Sequence, residues 1–258
     1  MKRLYEKSKL TFAIVWIIAY CVLMSVGDSL SQKIGIGKSV TLLIGVALSA
    51  ILLLFLKKNG LFSSYGLCRS KVSAKSMLFY VPIFVMLTAN LWYGTSFNDD
   101  YSPLETVLYV FAMLCVGFLE EIIFRGLLFE AMRKDSTKAA IIVSSITFGI
   151  GHIINLVNGS GAELLPNLLQ VVYATAAGFM FVMIYYKTES LIGCIAAHGV
   201  FNALSVFANE ANATPQMRIL SAVLLTLITG SYATYIAFTL KRGNYEGHYT
   251  NQSSDEKV

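Results

Sequence analysis

Charge is scarce in this sequence. Asp, Glu, Lys and Arg supply 14% of the 258 residues, against roughly 25% in an ordinary soluble domain, too little to cover a water-facing surface. Paired cysteines are missing as well. Cys21, Cys68, Cys115 and Cys194 stand singly with no C-x-x-C pair, which argues against a disulfide framework and a thiolate metal site and leaves them as small apolar core residues. No internal repeat is found, and no A-x-A-like cleavage site follows the first apolar run, residues 10–26. That run, preceded by Met1-Lys2-Arg3, is expected to be a retained span and not a removed signal. The formal charge of +5 carries no nucleic-acid signal, because the basic residues lie in short clusters between apolar stretches, where they set membrane orientation.

Apolar residues make up 56% of the chain, and its mean hydropathy is +0.64. The expected fold class is all-α, a polytopic membrane helix bundle of about eight transmembrane helices near 10–27, 38–56, 76–95, 103–132, 138–157, 164–186, 189–208 and 217–240, each about long enough for a hydrocarbon core of ~30 Å. Residues 1–243 read as one transmembrane domain with a chemistry-bearing core at 103–208, and the polar segment 244–258 as a disordered cytoplasmic tail. Sixteen of the twenty Lys and Arg fall in one set of alternate loops and three in the other, with Arg125 inside a span. That bias predicts a multi-pass protein of the cell membrane with both termini in the cytoplasm. The stretch 61–75 mixes apolar and basic residues and predicts an interfacial helix. Asn98-Asp99-Asp100-Tyr101 and Asn158-Gly159-Ser160-Gly161 carry turn chemistry.

Against this background the ten residues 119–128 stand out, because Glu120, Glu121 and Arg125 lie inside a span. An ionisable group at mid-membrane costs at least ~2.5 kcal/mol on insertion scales, so three together need partners and usually a function. Glu121 and Arg125 are four residues apart with the acid first, the favourable order for a helical ion pair. Glu120 points about 100° away from Glu121 and is free to face a cavity. Two later spans carry polar residues at similar depth: Glu120 is 13 residues from Arg133, His152 is 14 from Lys138, and His198 and Asn202 are 11 and 15 from Lys187. At ~1.5 Å per residue all lie roughly 16–22 Å from their cytoplasmic ends, so three helices are able to meet in one layer. Phe148 shares a face with His152, where Gly149 and Gly151 permit close approach of a backbone or a substrate.

A carboxylate beside an imidazole is equipment for activating water. A second histidine with an asparagine offers donors to the oxyanion of a tetrahedral intermediate. The set therefore reads as a hydrolase without a Ser or Cys nucleophile. Glu120, His152 and His198 are equally a ligand set for a divalent cation such as Zn²⁺, with one position left for water.

The patterns Glu120-Glu121-x-x-x-Arg125, Phe148-x-x-x-His152 and His198-x-x-x-Asn202, in that order on separate spans, resemble the three motifs of the CAAX protease and bacteriocin-processing family, also called Abi or CPBP intramembrane proteases. The flanking Phe124-Arg125-Gly126 and Ser190-Leu191 are similar too. The resemblance runs from about residue 104 to 204. It implies an intramembrane endopeptidase in which Glu120 is the general base with His152, Glu121 and Arg125 support it, and His198 with Asn202 forms the oxyanion site. Members of that family are described as glutamate-dependent and as metal-dependent. Eukaryotic members remove the tripeptide from prenylated C-a-a-X proteins, and others serve bacteriocin maturation or self-immunity. The partners implied are the lipid bilayer and a membrane-associated peptide or protein. Two other readings use the same residues: a non-catalytic membrane immunity or partner protein, and a proton- or metal-coupled transporter. The transporter lacks support from paired Gly/Pro-broken spans in matching halves.

Overall fold

A computed structural model describes residues 1–95, 101–157 and 163–240. The turns expected at 98–100 and 158–161 and the tail 244–258 lie outside the described residues. All eight expected apolar stretches are helical: α1 Lys9–Ile34, α2 Ser39–Lys58, α3 Lys75–Leu91, α4 Pro103–Arg133, α5 Thr137–Leu156, α6 Leu164–Thr188, α7 Ile192–Phe207 and α8 Pro215–Thr239. Six of them are long and apolar enough to cross a membrane, and α3 and α7 are shorter. The fold is thus an all-α polytopic bundle, with six helices long enough to span and two shorter ones where about eight spans were expected. α3 is interrupted near its start, because Leu78, Phe79 and Tyr80 sit in the left-handed region, at φ 51°, 50° and 59°, which no continuous right-handed helix accommodates; its α-helical part is Val81–Leu87.

Polar residues mark the helix starts. Ser8 accepts from the Thr11 N–H before α1, and Ser136 from the Ala139 N–H before α5. Ser102 and Glu105 form a reciprocal capping box around Pro103 at the head of α4, satisfying donors that a helix start leaves unpaired. Large apolar side chains such as Leu43, Leu227 and Phe238 stay 61–87% exposed on the outer faces, as expected of helices whose solvent is lipid.

The core gathers around α4, which packs against α1, α2, α5 and α7. From Glu121 to Phe129 this helix widens into a π-helix, and all nine residues of that segment are buried. Such widenings shift side chains around the helix relative to an α-helical count and are frequent at functional sites. The crossing of α4 and α7 is set by glycine. A Cβ on Gly117 would lie 2.4 Å from the Gly199 backbone nitrogen and 2.5 Å from its Cα, so the two backbones touch, as membrane helix interfaces with small residues allow. Gly117 lies one turn before Glu120 and Glu121, and Gly199 follows His198. Gly117→Ala is therefore expected to push α7 off α4, destabilise the protein by about 1–3 kcal/mol and reduce activity. An unchanged unfolding midpoint of the purified variant in detergent would contradict the tight crossing.

The stretch 61–75 does not form the expected interfacial helix. It holds a single 3₁₀ turn, Ser63–Tyr65, before α3 begins, because its backbone bonds elsewhere: Lys71 N–H to Thr188 O, and Gly66 O to the Leu191 N–H. Lys71 Nζ also pairs with Glu189 at 2.9 Å. This docking anchors the turn between α6 and α7, the helix that carries His198.

Candidate active site

The depth count placed residues of α4, α5 and α7 in one layer, and there they meet. Glu120, Phe148, His152 and Asn202 line one cavity of about 290 Å³, together with Tyr20 of α1 and polar groups that include Asn90, Asn155 and Gln170. A smaller apolar annex of about 40 Å³ adjoins it, bordered by Phe148, His152, His198, Asn202, Phe181 and Leu225.

The two adjacent acids are separated by environment. Glu121 is fully buried; its Oε1 lies 3.1 Å from Arg125 Nη1 and 2.8 Å from His198 Nδ1. Glu120 lines the cavity, with Oε1 accepting a 2.7 Å hydrogen bond from the Tyr20 hydroxyl. Its Oε2 is 3.3 Å from His198 Nε2, within ion-pair range yet off the hydrogen-bond line, and accepts no hydrogen bond among the described residues.

Hydrogen-bond chemistry fixes where several protons sit. His152 Nδ1 is 3.0 Å from the Phe148 carbonyl. A carbonyl only accepts, so Nδ1 carries the hydrogen and Nε2 of the neutral ring holds a lone pair. Asn167 Nδ2 donates to the backbone oxygen of His152 at 2.8 Å and steadies that end of α5. The Nδ1 of His198 likewise donates to Glu121, whose carboxylate is charged beside Arg125. Its Nε2 then meets Glu120 Oε2, and these two atoms attract only if one of them is protonated. Glu121 and Arg125 are opposite in sign and 3.1 Å apart, so their charges offset each other inside the membrane.

Phe148 does more than fill space. Its ring lies 4.0 Å from the Arg125 guanidinium carbon and edge-on to both imidazoles, at 5.1 Å from His152 and 5.5 Å from His198. Phe181 stacks on the other side of His198 at 5.5 Å. A cation over an aromatic face is favourable even where its N–H groups find few acceptors, and Arg125 is in that position, with guanidinium nitrogens that form no aligned hydrogen bonds. Gly149 lets α6 approach, since a Cβ there would meet Thr175 Cα at 2.9 Å, whereas Gly151 opens onto the cavity.

The structure brings together every candidate residue read from the sequence, with one change of partner: the imidazole touching Glu120 is His198, while His152 shares only the cavity wall. The sequence reading missed Tyr20 and Asn167. Tyr20 had a signal, for it stands 11 residues from Lys9, the same depth as His198 from Lys187.

A metal was the other use for this donor set. Oxygen and imidazole ligands suit zinc, but among the described residues no three His, Cys, Asp or Glu side chains converge as a metal-holding group. His198 instead bridges the two carboxylates with both ring nitrogens. Glu120, His152 and His198 do not converge as a three-ligand group in this arrangement.

Residues 102–204 match the family described as type II CAAX prenyl endopeptidase Rce1-like. The matched segment begins at the capping Ser102, ends at Leu204 and contains all three motifs, so it bears out the resemblance read from them; it excludes α1 and Tyr20. No curated protein and no solved structure matches the chain.

Proposed function

We propose, from the match of residues 102–204 to the type II CAAX prenyl endopeptidase Rce1-like family, that this chain hydrolyses a peptide bond of a membrane-associated protein or peptide with a water activated by Glu120. Intramembrane CAAX protease activity in general follows from the family. The assignment of roles to residues is our own. The observation that carries it is the division between the two acids, with Glu121 locked onto Arg125 and His198 and Glu120 lining the cavity together with His152 and Asn202.

In this mechanism the water enters the cavity that Glu120 and His152 both line and is held by the Glu120 carboxylate and the lone pair of His152 Nε2. Glu120 takes its proton as the oxygen attacks the scissile carbonyl carbon, and the carbonyl π electrons move onto the carbonyl oxygen. That oxyanion is received by the His198 Nε2–H and the Asn202 amide, which share one helical face. Protonation of Glu120 removes the charge that competed for His198, so the donor is freed as the oxyanion forms. On collapse the carbon–nitrogen bond breaks, and Glu120 returns the proton to the leaving amine. We place the protein in the cell membrane with both termini cytoplasmic, from the sixteen-to-three distribution of basic residues.

The same reading makes the chemistry independent of metal. Purified protein dialysed against a strong chelator is expected to keep its cleavage rate within about twofold, whereas an enzyme using a metal-bound water loses activity with its metal. Elemental analysis of the same sample is the companion measurement. Loss of activity restored by one equivalent of zinc would replace this mechanism with the metal-dependent one.

A further inference from the structure

α1 lies outside the family segment, yet it supplies the hydrogen bond closest to the proposed chemistry. Tyr20 is 8% exposed, and its hydroxyl crosses from α1 to α4 to donate to Glu120 Oε1 at 2.7 Å. The helix is held against the π-helical segment of α4, so the phenol approaches from a fixed side. Tyr20 also lines the cavity that Glu120 faces. A carboxylate whose two oxygens are equivalent can turn about its terminal torsion, and that torsion is soft. One strong donor on Oε1 removes the equivalence and leaves Oε2 as the oxygen beside His198.

We infer that Tyr20 is a positioning residue for the hydrolytic reaction: it fixes the rotation of the Glu120 carboxylate, with the buried Oε2 held beside His198. The inference rests on the reading of Glu120 as the base. It predicts that activity depends on a helix that the family segment does not include, through one hydroxyl group. Replacing tyrosine by phenylalanine keeps the ring and the packing and removes that hydroxyl alone. A misoriented base costs turnover more than binding, and angular misplacement at a reacting group is commonly worth about 10–100-fold.

The test uses the purified full chain with Tyr20→Phe, Glu120→Gln and the packing control Phe12→Leu, which disturbs a buried ring on the same helix away from Glu120. Cleavage of a fluorescent prenylated C-a-a-X peptide gives kcat and KM. Infrared difference spectra give the Glu120 carboxylate band, identified by its loss in Glu120→Gln. Tyr20→Phe is expected to lower kcat by about 10–100-fold with KM within about twofold and to shift the Glu120 band. Phe12→Leu is expected to lower stability and leave kcat and the band as in the parent. A parental kcat and an unshifted band in Tyr20→Phe would overturn the inference and leave the role of Glu120 standing. Full activity in Glu120→Gln would overturn the proposed function instead. Should the parent fail to cleave this peptide, the carboxylate band alone decides on Tyr20.

Discussion

Glu120→Gln is expected to reduce cleavage by about 10³-fold or more while leaving the fold intact, because general-base catalysis is worth about 10²–10⁴ in rate. The amide keeps the length and shape of the acid, and its oxygen still accepts from Tyr20. It offers no site for the proton of water. Nothing in the packing demands a charge at this position, since the charged partner of Arg125 is Glu121, so the unfolding temperature should stay near that of the parent. The comparison that sharpens the test is Glu121→Gln, which strikes the support of the site and should lower stability as well as rate. Equal rates for parent and Glu120→Gln would show that the cavity-facing acid has no part in the chemistry. The substitution also separates an enzyme from a silent partner protein. A cellular phenotype that survives Glu120→Gln, with no peptide cleaved by the purified parent, would favour the binding role.

The second large effect concerns stability. Arg125 is fully buried, as is Glu121, and the two lie 3.1 Å apart. Removing one member of a buried ion pair leaves an uncompensated charge and typically costs about 3–5 kcal/mol. Arg125→Met is therefore expected to destabilise the protein by that amount, measured by denaturant or thermal unfolding of the purified variant in detergent. The double variant Glu121→Gln with Arg125→Met removes both charges and should recover most of the loss, since replacing a whole buried pair with neutral groups is often close to neutral. Recovery of stability is not recovery of function. His198 would still lose the charged acceptor at its Nδ1, and cleavage should remain low in the double variant. If single and double variants were equally unstable, the ring contacts of Arg125 with Phe148 and Phe181, and not the ion pair, would be what this side chain contributes.

Together the two expectations describe a site in which charge is confined to a few contacting side chains. Glu121 and Arg125 offset each other, and Glu120 lies 3.3 Å from His198 Nε2. The arrangement leaves a single acid lining the membrane cavity. A transporter with the same residues would need them to change access between two sides. Flux across proteoliposomes remains the direct measurement of that reading.

Much of this protein was legible in its sequence, for identifiable reasons. Eight apolar stretches predicted eight helices because an α-helix satisfies its own backbone in lipid, so hydropathy and length nearly suffice. The depth count worked because rise per residue is constant along a helix, and it brought Glu120, His152, His198 and Asn202 to one layer. The Glu121–Arg125 pair followed from local spacing alone.

The tertiary structure decided what local spacing leaves open. Consecutive residues on a helix are separated by about 100°, which says that Glu120 and Glu121 face differently but not which one faces the cavity. The packing of α1, α5 and α7 around a π-helical segment settled that, burying Glu121 completely. The contact of Gly117 with Gly199 brought His198 between the two acids. Tyr20 reached Glu120 across a hundred positions of chain, a contact that no periodicity encodes because it depends on which helices become neighbours. The stretch 119–128 announced an acid pair and an arginine; only the neighbours of that helix divided them into a buried ion pair and one carboxylate open to the cavity.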